Sequence, residues 1–284
     1  MAEGRRPDLP PAVVAALGGH VAVVGDLTRP WAGATHTLLV EADPTHPGAI
    51  APATDAGVGG VERRLIVQWS ADRAAIARRL RVGRWLAAAA PAIPVPSIVA
   101  GDARAPVPYL VTRHVPGLDG RELLRDDASA AELGTAAGRL ALELRAVPTA
   151  GLRLPRCWAD PDALGAAALR WLDRAVDVLE PGPAGRIRTF AGRLAEEIGT
   201  PAPVFAHGDL APVNLVLDEG RVVGLLDLER ARLAHPLYDA AWWTWIVSHH
   251  HPDRAATASA SFLAAAGIDA DRSTDRVLGI LGAL

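Results

Sequence analysis

Apolar and polar positions alternate, or run apolar and β-branched, in five short stretches of the first 113 residues: 20–24, 37–41, 64–69, 97–100 and 109–112. Runs of this length, bounded by turn residues, predict strands. The stretch 43–60, rich in Pro, Gly, Ala and Thr, has no period and reads as a mobile connection. One helix interrupts the strands over 72–89, where Ile76, Leu80, Val82, Gly83 and Leu86 form a stripe. Ser70 or Asp72 caps it, and Pro91, Pro94 and Pro96 end it. After Arg121 the spacing becomes helical over 130–147, 161–179, 184–198, 238–248 and 254–266. A single polar hairpin breaks that series: the apolar runs 214–217 and 222–226 flank Asp218-Glu219-Gly220. The pattern predicts an α+β chain. A small antiparallel sheet with one helix occupies 1–113, and a larger, mostly helical part occupies 114–284.

Composition narrows the class. Half of the 284 residues are hydrophobic and 21% are charged, which fits a soluble globular protein and excludes a disordered one. A net charge of −3 with scattered arginines gives no footprint for nucleic acid. The excess of acid lies beyond residue 130; it reads as a solvated surface, with attraction of a cationic substrate as the alternative. Cys157 is the only cysteine, so no internal disulfide forms, and a packed thiol in a reducing cytoplasm is expected. Arg5, Arg6 and the apolar run 12–17 imitate a secretory leader, but Pro10-Pro11 and the lack of a small-x-small cleavage site oppose it. The uncharged run near 85–101 carries three prolines and is too short to span a bilayer, so no membrane partner is expected. All 29 positive residues are arginine.

The chemistry concentrates in 203–229. His207-Gly208-Asp209 and Asn214 lie on one side of the hairpin, and Asp227 follows an apolar run on the other. A hairpin brings its ends together, so Asp209, Asn214 and Asp227 are expected to converge. Two carboxylates and an amide oxygen suit a hard divalent cation, with one carboxylate left to act as base. Phosphoryl transfer from a magnesium nucleotide requires that set. A lone His-Gly-Asp would be an ordinary turn; the combination with Asn214 and Asp227 carries the reading.

Three stretches, His207-Gly-Asp209-x-x-x-x-Asn214, Gly224-Leu-Leu-Asp227-Leu-Glu229 and Pro236-Leu-Tyr-Asp239-Ala-Ala-Trp242, resemble the aminoglycoside phosphotransferase and choline kinase branch of the protein-kinase-like fold. Gly33-Ala-Thr-His-Thr resembles its nucleotide loop, and Leu110-Val-Thr-Arg-His-Val-Pro-Gly117 its hinge. The resemblance implies a bilobal fold with a nucleotide-binding N-terminal lobe. It implies ATP (or GTP) as co-substrate, Mg2+ as cofactor, and a small hydroxylated acceptor such as an antibiotic, a sugar or an amino alcohol. Asp209 would then be the catalytic base, Asn214 and Asp227 the metal ligands, and His207 and Asp239 structural supports of the loop. Backbone groups around Thr112 and His114 would hold the base of the nucleotide, and Thr35 a phosphate. The short spacing from Asp227 to Asp239 leaves no room for a long activation segment and disfavours a protein acceptor.

The chain departs from the family at the phosphate clamp. The family pairs a lysine on the third strand with a glutamate on the next helix; here Gln68 stands at the strand position and Arg79 at the helix position, or Arg78 or Arg81 if the register slips. Either the positive charge has moved to the helix, where Gln68 and Arg79 would attend the phosphates, or Arg79 faces solvent and no clamp exists. The second case leads to a different class of function, a non-catalytic nucleotide-binding scaffold. Smaller departures are Ala234-His235, where the family has Gly-Asp, and Leu144-Arg145, where it has Leu-His. Trp242, Trp243 and Trp245 belong to one helix and read as core, or as an aromatic wall of a substrate pocket. His249-His250-His251 reads as a helix C-terminus, with substrate contact next and a metal site last, because successive helical residues diverge by about 100°.

Overall fold

The computed structural model of the chain describes residues 8–19, 21–29, 35–42, 64–156, 158–175 and 181–283. The connection 43–60, Gly33 and Ala34 of the nucleotide loop, and Cys157 lie outside the described residues. The chain divides into two compact units. The first comprises Met1–Gly117 with Val223–Glu229, and the second Leu118–Val222 with Arg230–Leu284.

In the first unit α1 (Pro11–Ala16) precedes β1 (Val21–Asp26), β2 (Thr35–Ala42) and β3 (Arg64–Ser70); then come α2 (Arg73–Ala89), β4 (Ile98–Asp102) and β5 (Tyr109–Arg113). The five strands form one sheet in the order β1-β2-β3-β5-β4, antiparallel throughout. The α+β expectation and its five-stranded antiparallel sheet are thus met. Their alternation puts Leu38, Val40, Leu65, Val67, Trp69 and Val111 into one core with Val13 of α1 and Leu17 just after it. The six-residue α1, opened by Pro11 in its first turn, adds a second helix to the one expected. Asp72, not Ser70, caps α2, accepting the Ala74 and Ala75 amides. The other face of the sheet meets α2 through Ile76, Leu80 and Leu110.

The first unit includes residues up to Gly117, and within it the His114 amide donates to the Arg64 carbonyl of β3 at 3.0 Å. Residues 223–229 return to it: the Leu225 amide donates to the Pro94 carbonyl at 2.7 Å.

The second unit runs β6 (Leu118–Asp119), α3 (Asp127–Arg145), α4 (Pro161–Ala175), α5 (Pro181–Ala191), α6 (Leu194–Ile198), β7 (Val204–Ala206), β8 (Leu215–Asp218), the first two residues of β9 (Arg221–Leu225), β10 (Arg232–Ala234), α7 (Tyr238–His250), α8 (Pro252–Ala265) and α9 (Arg272–Ala283). Its framework is the pair α3 and α8, which approach so closely that a Cβ at Gly134 or Gly138 would overlap the Ala258 or Phe262 carbonyl. Any side chain there would force the helices apart. The helix expected over 184–198 is broken at Gly192-Arg193, and α9 was not anticipated. Small sheets pair β7 with β10 and order β6-β8-β9. The turn between β8 and β9 has Glu219 at φ 47 and Gly220 at φ 72, the two left-handed residues that a tight hairpin turn demands. No helix among the described residues is long and apolar enough to cross a membrane.

Candidate active site

The loop after β7 is fixed by its own backbone. His207 is fully buried, and Gly208 adopts φ 83 where a Cβ would overlap the Arg230 carbonyl oxygen, so only glycine fits. Asp239, in the first turn of α7, accepts the His207 amide at 2.8 Å on Oδ2 and the Gly208 amide at 3.0 Å on Oδ1. The Asp209 amide donates to His207 Nδ1 at 3.2 Å. Three successive amides therefore have assigned acceptors, and the Asp209 side chain is delivered at one place. Burial pushes the Asp239 carboxyl up, against the opposing pull of His207 and the two amide bonds. Burial likewise raises the Tyr238 phenol to about 12, with Asp239 and Asp209 adding to the shift and Arg232 opposing it.

The Asp209 carboxylate is held at both oxygens by neutral donors. Asn214, delivered by the 3-10 turn Pro212–Asn214, donates Nδ2 to the Asp209 carbonyl at 2.9 Å and to Oδ2 at 3.3 Å. The indole Nε1 of Trp242 donates to Oδ1 at 2.9 Å. Asn214 is 1% exposed, and with its amide nitrogen turned to Asp209 its oxygen points the other way. His207, Asp209, Asn214 and Asp239 are thus brought together, and Trp242 joins them. Sequence reasoning placed Trp242 in the motif and in an aromatic helix but not on Asp209.

Asp227 belongs to the first unit. It takes a left-handed backbone, φ 63, which costs an aspartate roughly 1 kcal/mol and marks an imposed position. Arg79 of α2 is 6% exposed, so the solvent-facing alternative is excluded. Its Nη2 lies 2.7 Å from Asp227 Oδ1, an ion pair without an aligned hydrogen bond, and also contacts Glu229 Oε2. Arg29 Nη1 stands 3.9 Å from Asp227 Oδ2, and Arg78 donates to the Glu229 carbonyl at 3.0 Å. Arg79 Nε and Nη1 are buried without hydrogen-bond partners. Arg79 therefore has carboxylates, not Gln68, as its partners. Glu229 as the answering acid was missed; a helix arginine standing for a glutamate called for a carboxylate nearby, and Glu229 was available two residues beyond Asp227.

The remaining nucleotide candidates lie on the sheet. Gln68 Nε2 reaches Thr37 Oγ1 at 3.5 Å, and Thr35 Oγ1 donates to Ser70 Oγ at 3.0 Å. Thr112 is half-buried on β5, opposite Ile66. His114 Nδ1 is buried without a partner, and burial followed by the charge of Arg64 lowers the imidazole, keeping it neutral near pH 7.

The Asn214 side-chain oxygen in the second unit and the Asp227 carboxylate in the first are each hard oxygens, of the kind magnesium takes in preference to a softer metal. Among the described residues no group of three or more His, Cys, Asp or Glu forms a metal cluster, the run 249–251 included. Nor are the three tryptophans alike. Trp243 is fully buried and stacks on Phe262 at 5.0 Å, whereas Trp245 is 41% exposed. At the family departures, His235 accepts the Leu237 amide on Nδ1, and Arg145 donates to the Ala266 carbonyl.

None of the curated proteins compared matches the chain. Solved structures do. An aminoglycoside-3'-phosphotransferase of type VIII is 22% identical, with 92% of each chain covered and a TM-score of 0.56. The streptomycin–ATP–APH(2")-IIa complex is 11% identical, covering 96% of this chain and 87% of that one, with a TM-score of 0.65. Macrolide 2'-phosphotransferase MphH from Brachybacterium faecium is 19% identical, covering 94% and 85%, with a TM-score of 0.60. At such identities the likeness is one of fold, and the fold is the kinase-like one expected. Residues 56–276, most of the chain, also match a family described as phosphotransferase enzymes, and the chain belongs to that family.

Proposed function

We propose that the chain transfers the γ-phosphoryl group of ATP (or GTP) to a hydroxyl of a small molecule: an antibiotic such as an aminoglycoside, a sugar or an amino alcohol. The observation that carries the reading is the Asp209 loop, in which three tethered amides and two neutral donors present one carboxylate. Asp209 accepts the acceptor hydroxyl's proton as its oxygen bonds to the γ-phosphorus; the bond to the bridging oxygen breaks and the nucleoside diphosphate leaves. Asn214 and Asp227 would hold magnesium, which when bound neutralises charge on the phosphate oxygens. His207 and Asp239 keep the loop in place, so the chain's contribution is positioning and electrostatics. Thr35, Gln68, Thr112 and His114 serve the nucleotide. Arg79 supplies the missing cation, and its two unpartnered N–H groups are donors suited to a phosphate. The fold is shared with proteins described in complexes with ATP and with GDP, which supports a nucleotide co-substrate. The expected setting is the cytoplasm.

One observation favours the scaffold reading instead: Arg79 already neutralises Asp227, the carboxylate a metal would use. Two measurements separate the readings. The enzyme reading expects magnesium-dependent nucleotide binding by thermal shift, and a kcat loss of about 10²–10⁴ in Asp209→Asn with nucleotide binding retained. Absence of magnesium-dependent binding, or an undiminished Asp209→Asn enzyme, sinks it.

A further inference from the structure

The aromatic side chains of α7 continue outward from the base. Trp242, whose indole donates to Asp209 Oδ1, packs against Trp245 at 5.2 Å, and Trp245 stacks on His249 at 5.3 Å with an interplanar angle of 3°. The spacing i, i+3, i+7 lays these rings in one row along a helix face, roughly 10 Å long at 1.5 Å per residue. The row is open: Trp245 is 41% exposed, while Trp243 on the opposite face is fully buried. A single exposed tryptophan would need no explanation. Three rings in contact, the first tilted against the second by 32° and hydrogen-bonded to the catalytic carboxylate, form a shelf at the place where an acceptor hydroxyl must lie.

The charges beside the shelf select the acceptor. Along α7 the only carboxylate is Asp239, and both its oxygens are engaged by the His207 and Gly208 amides. A second aromatic group touches the same loop: the Tyr238 hydroxyl donates to the Gly208 carbonyl at 3.5 Å, Trp158 meets the Tyr238 ring edge-on at 4.7 Å, and the Arg232 guanidinium covers both rings at 5.5 and 5.2 Å. The loop is thus flanked by rings and a fixed cation. A polyamine acceptor would find one carboxylate at the row, Asp209, with both oxygens already accepting from Trp242 and Asn214, no further counter-charge on α7 and a like charge at Arg232; a flat C–H face would find stacking area.

We infer that the Trp242–Trp245–His249 row is the acceptor platform, and that the acceptor is an uncharged molecule of two or more rings, a neutral glycoside, rather than a polycation. The inference rests on Asp209 being the phosphotransfer base. The test uses the full chain with two probes, 4-nitrophenyl β-maltoside and a tetra-amino aminocyclitol glycoside, in calorimetric binding and in magnesium–ATP consumption. The neutral glycoside is expected to bind more tightly than the polyamine. Trp245→Ala should weaken it about tenfold and raise KM in step while kcat changes less than about threefold; Trp245→Phe should restore most of the loss. Equal binding by Trp245→Ala and the unaltered chain, no binding of the neutral glycoside, or preference for the polyamine overturns the inference. Trp245-dependent binding without ATP consumption on either probe upholds the platform and sinks the phosphotransfer reading.

Discussion

Replacing Asp239 by Asn keeps the shape of the side chain and removes its charge, which makes it the sharpest test of how the Asp209 loop is held. Asp239 accepts two amides, His207 at 2.8 Å and Gly208 at 3.0 Å, on different oxygens. Asn has one oxygen, so one amide then faces an NH2 group whichever way the side chain is turned. A buried amide left without an acceptor costs about 1–3 kcal/mol, and exchanging a charged acceptor for a neutral one at the other amide costs about 1 kcal/mol more. Against this, burial disfavours the ionised carboxyl on balance, so removing the charge offsets part of that cost. The net expectation is a destabilisation of about 2 kcal/mol, read as a lower urea midpoint at unchanged m-value. The consequence for catalysis exceeds that for stability, because a displacement of about 1 Å in a catalytic group costs on the order of 10²-fold in rate. A variant within about 0.5 kcal/mol of the unaltered chain and of equal kcat would show that the two amides are not what holds Asp209.

Two further outcomes follow from other parts of the molecule. Arg79→Met leaves Asp227 and Glu229 as neighbouring carboxylates, each about a quarter exposed, and is expected to cost about 1–3 kcal/mol and to weaken ATP binding about tenfold or more; unchanged ATP affinity and kcat would end the view that the cation has moved from strand to helix. His235 is neutral in the fold, with Nδ1 accepting the Leu237 amide at 3.1 Å and Nε2 3.1 Å from the Ile198 carbonyl, and burial lowers its pKa. The unfolded chain therefore binds the proton more readily: this stability is complete above about pH 6.5 and is lost as pH falls through the lowered value. His114 and His251 act in the same direction, so His235→Asn should flatten the decline in thermal midpoint between pH 7 and pH 5 only in part; an identical slope would refute the assignment.

The sheet of the first unit was legible because β2, β3 and β5 carry their core residues at a period of two, with no competing helical stripe. The Asp209–Asn214 pairing was legible because five residues of turn bring it about locally. What escaped depends on distance and rotation. Trp242 meets Asp209 across 33 positions and only because α7 is turned so that Trp243, its neighbour, faces the core. Arg79 and Glu229 are 150 positions apart, and no periodicity in either segment announces the other. The short α1 and the residue that follows it contribute two deeply buried side chains, Val13 and Leu17, too few to stand out as a stripe.

The chain has no lysine, and its buried cation on α2 is the guanidinium of Arg79; this also decides which reagents the chain will answer to. Acyl-phosphate nucleotides report kinases by acylating an amine beside the phosphates, and this chain has no side-chain amine at all. A guanidinium, its charge delocalised over three nitrogens, is no substitute nucleophile. Amine capture would therefore return silence from this chain whether or not it turns over ATP. Its occupancy by nucleotide has to be read by a reversible method.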